Sequence, residues 1–356
     1  MTMQTDVAKP VHDRHVADVA VVGAGPAGLF TVFQCGMLGL SCHVFDALPE
    51  IGGQCTALYP EKPIYDIPGF PKIAAGDLIA SLEAQAAPFS PVFHLGAPVT
   101  TLTPQGARFS ITNAAGITID AGAVIIAGGA GAFGPNKPPI VGIEAYEGHS
   151  VFYMVRRRED FAGKRVVIAG GGDSAVDWAI SLAEIARVSV IHRRDQFRAA
   201  PGTVEQLKNL AAAGKIDLVI PYQLKGLEGA NGIMSAVQVA TLDGDVKTIP
   251  ADALLAFFGL AAKLGPVADW GLTIEGNHIV IDPATGRTGV DGVFAAGDIA
   301  TYPNKLKLIT TGFAEAAGAA HAAYIYLNPG KALHVEYSTA KGVPGQAGAD
   351  IKTIAV

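Results

Sequence analysis

Two glycine-rich segments have the residue types and the spacing best suited to binding a ligand. Residues 23–28 are Gly-Ala-Gly-Pro-Ala-Gly, and residues 170–175 are Gly-Gly-Gly-Asp-Ser-Ala; each follows an apolar run and opens a segment with helical character. Glycine permits a tight turn and lets backbone N–H groups approach phosphate, and the following helix directs its N-terminal N–H groups at the same anion. Each unit therefore predicts a dinucleotide pyrophosphate site. Two such units in one chain favour electron transfer between two dinucleotides.

The phosphate-binding residues of both units can be named from this pattern. In the first unit, the expected contacts come from the three spaced glycines, Gly23, Gly25 and Gly28. In the second unit, they come from the residues that close the turn and begin the helix, which are Gly170, Gly172, Asp173, Ser174 and Ala175.

The two units differ in charge where the second strand ends, which is the position that faces the adenosine ribose. The first unit has Asp46 there, and a carboxylate accepts hydrogen bonds from ribose hydroxyls but repels a 2′-phosphate, so FAD or NAD fits. The second unit has a basic group at the matching place, formed by His192, Arg193, Arg194 and Arg198. Guanidinium groups bind phosphate bidentately, so NADP(H) is predicted for the second unit.

Composition excludes several other classes of protein. The formal net charge is −6, and an acidic chain is a poor ligand for nucleic acid. The longest strongly apolar run, 253–262, is about half of the roughly 20 residues of a membrane span. Residues 1–16 lack a signal-peptide core, so a cytoplasmic location is predicted. Cys35, Cys42 and Cys55 form neither a C-x-x-C pair nor a metal-ligand cluster, so no metal site is expected.

The order of elements predicts two domains, one inserted in the other. A glycine-rich β-α-β unit, a meander and a returning strand occur twice, and three prolines in 135–139 indicate a crossover. The last segment, ending at residues 297–298, lacks a third fingerprint and is expected to return to the first domain. The predicted domains are residues 1–134 with 257–356, and residues 135–256.

Five stretches of the chain resemble one protein superfamily. They are VAVVGAGPAGLF, IGGQC, RVVIAGGGDSAVDWA, HRRDQFRA and VFAAGDIA, and they are spread over most of the chain. With them, the chain resembles the two-domain flavoprotein pyridine nucleotide reductases, and within these the thioredoxin-reductase-like group. The resemblance implies an α/β fold of two Rossmann-like, three-layer dinucleotide-binding domains, with the NADP(H) domain inserted into the FAD domain.

The chain lacks one motif of the thioredoxin reductases, and this difference narrows the range of families that it resembles. A thioredoxin reductase has a C-x-x-C pair just before its NADPH fingerprint, but residues 151–160 contain no cysteine. A dithiol relay needs both an attacking and a resolving thiol. The chain is therefore more similar to the thioredoxin-reductase-like ferredoxin–NADP(+) reductases. That resemblance implies a homodimer with FAD bound non-covalently, hydride transfer from NADPH to flavin N5, and single-electron transfer to ferredoxin or flavodoxin.

The resemblance also implies FAD contacts outside the fingerprint. Gln54 would approach the flavin side of the cofactor, and Tyr59 would stack on one face of the flavin. Asp298 would bind the ribityl–pyrophosphate region at the start of a helix. No side chain is expected to act as a catalytic acid, base or nucleophile, because the flavin supplies the chemistry.

Four further FAD contacts follow from the same resemblance. Val99 would contact the adenine side through its backbone, and Phe133 would lie along the cofactor. Thr339 would lie near the isoalloxazine, and Tyr337 would cover its other face.

The acceptor is the least determined part of the function. Arg156, Arg157 and Arg158 form a basic run that would attract an acidic ferredoxin. Three alternatives remain: another NADPH-dependent FAD reductase or diaphorase, a thioredoxin-reductase-like enzyme with thiols supplied in trans, and a flavin redox sensor without turnover.

Overall fold

The computed structural model describes residues 15–331 and 342–343, and these form two compact units. The first unit comprises the chain up to Ala132 and from Ala262 onward, and the second is Phe133–Ala261. The chain therefore leaves and re-enters the first unit once, which confirms the inserted arrangement. The divisions fall at 132/133 and 261/262, where the sequence predicted 134/135 and 256/257. Which dinucleotide each unit holds stays a prediction.

The first unit begins with the glycine-rich β-α-β segment. Its elements up to the crossing are β1 (His15–Val22), α1 (Pro26–Met37), β2 (Cys42–Phe45), α2 (Gln54–Leu58), β3 (Pro63–Ile64), β4 (Ile73–Ala74), α3 (Ala75–Ala86), β5 (Val92–His94), β6 (Val99–Gln105), β7 (Arg108–Asn113) and β8 (Thr118–Ile126).

The second unit repeats this plan. Its elements, starting with the crossing strand, are β9 (Ala132–Pro135), β10 (Val151–Phe152), β11 (Arg165–Ala169), α4 (Asp173–Leu182), β12 (Arg187–Ile191), α5 (Pro201–Ala212), β13 (Ile216–Val219), β14 (Gln223–Ala230), β15 (Ile233–Ala240), β16 (Val246–Pro250) and β17 (Ala253–Ala256).

The chain then returns to complete the first unit. The remaining elements are β18 (Leu260–Lys263), which pairs with β9, β19 (Ile274–Glu275), β20 (His278–Val280), β21 (Val293–Ala295), β22 (Ala300–Thr301) and α6 (Ile309–Leu327).

The first unit has three layers around a seven-stranded sheet of order β5-β2-β1-β8-β7-β6, with β21 paired to β8. Strands β2, β1, β8 and β21 run parallel, and β6, β7 and β8 form an antiparallel meander. The apolar runs of β1 and β8 are buried on both faces, as parallel strands require. Helices α1 and α6 cover one face, and residues around β20 cover the other.

The second unit is also layered. A parallel five-stranded sheet of order β10-β17-β11-β12-β13 lies between helices α4 and α5 on one face and the antiparallel β14-β15-β16 meander on the other. The predicted α/β class is thus confirmed in both units. Within residues 15–331, no helix combines the length and apolar character that a membrane span requires.

Candidate dinucleotide-binding sites

The three spaced glycines of the first fingerprint have different structural roles. Gly23 has φ +115°, and a Cβ there would lie 2.3 Å from the Ala127 carbonyl oxygen. A Cβ on Gly28 would lie 1.9 Å from the Gly23 oxygen, so α1 packs directly on the end of β1. Gly25 has an ordinary φ of −73°, and a Cβ there would meet only the Gly53 Cα, at 4.0 Å. Packing within the chain therefore requires Gly23 and Gly28, whereas Gly25 leaves open space at the helix N-terminus.

That open space lies where an anion is expected. No side chain caps the N-terminus of α1, and Pro26 at its start has no N–H group to satisfy. The N–H groups of the first turn are therefore available to phosphate oxygens. This arrangement fits the pyrophosphate of a dinucleotide such as FAD.

Asp46 lies at the end of β2 and is bonded to the fingerprint loop. Its Oδ2 accepts the Ala24 N–H at 2.7 Å, and its Oδ1 accepts the Leu48 N–H at 2.8 Å. Burial raises the pKa of Asp46, and these main-chain N–H groups act in the opposite direction. Each carboxylate oxygen keeps acceptor capacity for a ribose hydroxyl. The structure therefore holds Asp46 beside the turn, as its predicted role requires.

A second glycine loop meets the fingerprint from the other side. The Gly52 N–H donates to the Ala24 carbonyl at 2.9 Å, and a Cβ on Gly53 would lie 3.1 Å from the Gly25 Cα. Gln54 begins α2 directly after this loop, and its Nε2 lies 3.6 Å from the Cβ position of Gly129, beyond the end of β8. The loops that follow β1, β2 and β8 thus converge, as expected for a ligand site at the carboxyl ends of parallel strands.

Asp298 reaches the same region from β21. It lies in a short 3-10 turn, Gly297–Ile299, and a Cβ on Gly297 would lie 3.0 Å from the Ala27 Cβ in the first turn of α1. Asp298 thus lies at the start of this short 3-10 helix, whereas the long helix α6 begins only at Ile309. Pro303 and the loop around it separate the turn from that helix.

Cys55 and Tyr59 of the α2 region both have raised pKa values. Burial raises the pKa of Cys55 to about 11, with a smaller contribution from the negative charge of Asp298. Burial also raises the pKa of Tyr59 well above its usual range, followed by contributions from Cys55 and Asp298. The Tyr59 hydroxyl lies 3.8 Å from the Cys55 Sγ, and its ring packs against a cluster that includes Leu29. Stacking of Tyr59 on a flavin stays a prediction.

Of the other four predicted FAD contacts, the structure describes the side chain of Val99. Val99 is buried at the start of β6, and the segment before it is tied to Asp46, because the Ala97 N–H donates to the Asp46 carbonyl at 3.3 Å. Phe133 lies in β9, but its side chain is outside the described part of the chain. Tyr337 and Thr339 both lie outside the described residues.

In the second fingerprint, too, some glycines are required by packing within the chain, and another leaves space for a ligand. Gly170 has φ +155°, and a Cβ there would lie 2.6 Å from the Phe257 carbonyl oxygen. A Cβ on Gly171 would lie 2.3 Å from the His192 ring, whereas a Cβ on Gly172 would meet no atom within 4 Å. Ala175 is buried where α4 packs on the sheet. Gly172 therefore leaves the space for a ligand at the uncapped N-terminus of α4.

The basic loop after β12 folds back onto this fingerprint. The Arg198 N–H donates to the Gly171 carbonyl at 2.7 Å, and the Ala200 N–H donates to the Asp173 Oδ1 at 3.0 Å. The His192 ring stacks on Phe197 with ring centroids 5.0 Å apart. Asp173 thus positions the loop, a role that the sequence did not indicate, and its contact with NADP(H) stays a prediction. Ser174 is exposed beside it.

The charges of this loop remain available to an anion. Arg193, Arg194 and Arg198 are exposed, and among residues 15–331 no carboxylate lies within 4.0 Å of their guanidinium groups. Burial lowers the pKa of His192, and the three positive charges lower it further. An array of exposed guanidinium groups fits a phosphate dianion such as the 2′-phosphate of NADP(H).

The predicted acceptor patch is smaller than its sequence suggests. Arg156 and Arg157 are exposed, and Arg157 Nε lies 3.7 Å from Asp160 Oδ1. Arg158 instead donates to the Ser181 carbonyl at 2.7 Å and forms an ion pair with Glu184. Arg158 is therefore engaged within the unit, and Arg156 and Arg157 are the exposed members of the predicted patch.

Sequence reasoning missed a buried ion pair beside Asp298. The Lys305 and Glu315 side chains are 5% and 2% exposed, with Nζ and Oε1 2.7 Å apart. The sequence signal that could have indicated this pair is Glu315, which is the one acidic residue of the alanine-rich helix Ile309–Leu327.

Known proteins resemble this chain over most of its length. A family model for pyridine nucleotide-disulphide oxidoreductases matches residues 17–321. A ferredoxin–NADP reductase of Paramagnetospirillum magneticum is 60% identical over 333 residues, which are 93% of this chain and 99% of that protein. The enzyme of the same name from Rhodospirillum rubrum is 60% identical over 333 residues, 92% of this chain and 96% of that protein.

Among solved structures, the thioredoxin reductase of T. acidophilum is similar in fold. It is 26% identical, covers 87% of this chain and 98% of its own, and has a TM-score of 0.74.

Proposed function

The chain belongs to the pyridine nucleotide-disulphide oxidoreductase family, and from this premise we propose that it transfers electrons from NADPH to ferredoxin or flavodoxin. It is an NADPH-dependent flavoprotein oxidoreductase whose cofactors are FAD and NADP(H). The proposed acceptor is supported by the name of relatives that are 60% identical over more than nine-tenths of the chain. The proposal includes a cytoplasmic homodimer.

The opposite charges beside the two fingerprints are the observation that best supports the proposal. Asp46 beside the first turn favours unphosphorylated ribose and so FAD, and the exposed guanidinium groups of the second loop favour a 2′-phosphate and so NADP(H). Bound FAD would supply the conversion of a two-electron donor reaction into single-electron transfer. The residues of the chain bind and orient the two cofactors.

The cysteines argue against a thiol acceptor. Cys35, Cys42 and Cys55 are all buried and unbridged. The Cys55 thiol, with a pKa of about 11, is protonated at neutral pH, and thiol–disulfide exchange needs a thiolate with access to its partner. Thioredoxin and disulfide reagents are therefore expected to be poor acceptors.

Steady-state assays test the acceptor directly. Purified FAD-loaded protein is mixed with NADPH and either ferredoxin, flavodoxin or thioredoxin with a disulfide reagent, and NADH is measured in parallel. We expect NADPH oxidation with ferredoxin or flavodoxin and little with NADH or thioredoxin. Turnover that requires thioredoxin, or equal rates with NADH, would contradict the proposal.

An anaerobic NADPH titration separates an enzyme from a sensor without turnover. Rapid and complete loss of the blue flavin absorbance on addition of NADPH is expected for a reductase. Slow and incomplete loss would favour the sensor instead.

A further inference from the structure

A buried ion pair between Lys305 and Glu315 contacts the turn that contains Asp298. Lys305 Nζ lies 2.7 Å from Glu315 Oε1 and donates to the Gly297 carbonyl at 2.7 Å. Glu315 Oε2 accepts the Gly297 N–H at 2.7 Å, and Oε1 accepts the Tyr302 hydroxyl at 2.8 Å. Lys305 also lies 5.3 Å from the centroid of the Tyr302 ring. The two charges therefore hold both polar backbone groups of a single residue.

Stability alone does not explain two charges in this place. Removing two ions from water is costly, and well-packed apolar residues of similar volume often stabilise a protein as well as a buried ion pair does. A buried pair is better suited to fixing a conformation, because its hydrogen bonds have defined directions. The side chains here are almost entirely buried, so the desolvation cost applies in full.

The conformation that the pair fixes is an unusual one. Gly297 has φ +77°, and the turn lies between two elements: a Cβ on Gly297 would be 3.0 Å from the Ala27 Cβ, and a Cβ on Gly312 would be 3.2 Å from the Gly297 Cα. The pair therefore fastens the turn between the first turn of α1 and the first turns of α6. Asp298 is the next residue, so its position follows from that of Gly297.

We propose that Lys305 and Glu315 are positioning residues for the dinucleotide of the first unit. They hold the Gly297–Ile299 turn in its binding conformation before the ligand arrives, so that Asp298 meets the diphosphate–polyol portion of FAD without reorganisation. Because the lysine neutralises the glutamate, the pair adds no net negative charge beside an anionic ligand. This inference rests on the proposed assignment of FAD to the first unit.

Apoprotein variants test the positioning role by separating FAD affinity from folding. The double variant Lys305→Met/Glu315→Leu replaces the pair with apolar side chains of similar length. Lys137→Met/Glu147→Gln, which removes a partly exposed ion pair of 2.7 Å in the second unit, is the control. FAD affinity is measured by quenching of flavin fluorescence, and folding of the apoprotein by thermal unfolding followed by circular dichroism.

We expect the double variant to fold but to unfold at a lower temperature than the wild type, because the buried Gly297 N–H and carbonyl lose their side-chain partners. Measured below that temperature, its FAD binding should be at least ~10-fold weaker, which is the cost of ordering a few groups on binding. The control should bind FAD as the wild type does. Wild-type FAD affinity in the double variant would overturn the positioning role. Wild-type protein that takes up no FAD would instead contradict the proposed function.

A milder variant keeps the test decisive if the double variant does not fold. Tyr302→Phe removes one hydrogen bond to Glu315 and keeps both charges. A severalfold loss of FAD affinity, measured below the unfolding temperature of the apoprotein, supports the positioning role. Unchanged FAD affinity in a folded Tyr302→Phe protein would overturn it.

Discussion

At the scale of single residues, charge at the end of a strand decides which ribose is accepted. Arg193 and Arg194 are exposed and unpaired within residues 15–331, whereas Asp46 is already engaged by two main-chain N–H groups. The first prediction concerns Arg193→Ala/Arg194→Ala. Its KM for NADPH should rise ~10- to 100-fold, since a hydrogen bond to a charged group contributes ~1.5–3 kcal/mol. Its KM for NADH should stay unchanged.

The matched control for this prediction is Arg187→Ala. Arg187 is exposed at the start of β12, whereas Arg193 and Arg194 follow the end of the same strand. Steady-state kinetics with both coenzymes should show wild-type selectivity in the control. Equal losses with NADPH and NADH in the double variant would mean that the loop does not contact the 2′-phosphate.

At the scale of elements, the glycines of the β1–α1 turn separate ligand contact from packing. Gly25→Ala should leave the apoprotein as stable as the wild type or slightly more stable, because its φ is ordinary and its Cβ would clash with no atom. The same methyl group would occupy the space proposed for the pyrophosphate, so FAD affinity should fall by at least ~10-fold, or about 1.4 kcal/mol.

Gly28→Ala is the contrasting change in the same turn. Its Cβ would lie 1.9 Å from the Gly23 carbonyl oxygen, and such overpacking costs ~1–3 kcal/mol of folding free energy. Thermal unfolding of the apoprotein and FAD titration distinguish the two variants. A Gly25→Ala protein with full FAD affinity would exclude the first unit as a pyrophosphate site of this kind.

A second element-scale prediction concerns the ion pair that joins the beginnings of β11 and β17. Arg165 contacts Asp252 through its backbone N–H at 2.8 Å and through its guanidinium group. The hydrogen bonds from Arg165 lower the pKa of Asp252 to about 2, from 3.8. A carboxyl group with a lowered folded-state pKa stabilises the fold above its unfolded-state pKa, and this contribution is lost as the pH falls from about 4 to about 2.

The size of this effect is limited because both side chains are about two-fifths exposed. We expect Asp252→Asn to lower the free energy of unfolding by at most ~1 kcal/mol at pH 7, as for other exposed pairs. Urea unfolding at pH 7 and near pH 3 should show that the difference from wild type shrinks at the lower pH. A difference that grows on acidification would contradict the assigned direction.

At the scale of the whole molecule, a net charge of −6 opposes association with an acidic protein. Attraction of a ferredoxin must then come from a local basic surface, and Arg156 and Arg157 are the exposed members of the proposed patch. We predict that Arg156→Ser/Arg157→Ser lowers kcat/KM for ferredoxin ~10-fold at low salt and weakens its dependence on ionic strength. NADPH oxidation with a small one-electron dye should be unaffected.

Lys208→Ser/Lys225→Ser is the control for this prediction, because it makes the same change in net charge at exposed positions of the same unit. Stopped-flow ferredoxin reduction over a range of salt concentrations measures the difference. Identical salt dependence in the two double variants would assign the effect to net charge and exclude a role for the patch.

The sequence by itself determined the local units. Tight glycine turns between a buried strand and a helix, and the charges of Asp46 and of the loop from His192 to Arg198, follow from local backbone geometry and from fixed offsets along the chain. The inserted order of the units was also predictable, because the last returning strand lacks a fingerprint. Strand β21 indeed pairs with β8.

Only the tertiary structure decided which of these residues face outward and which are used internally. Gly25 and Gly28 look alike in the fingerprint, but the distance to Gly23 separates them. Arg158 is engaged by Glu184, which is close only after folding, and Lys305 and Glu315 meet beneath Gly297 for the same reason. Burial and pairing depend on contacts between distant segments, and the pattern of neighbouring residues contains no information about those contacts.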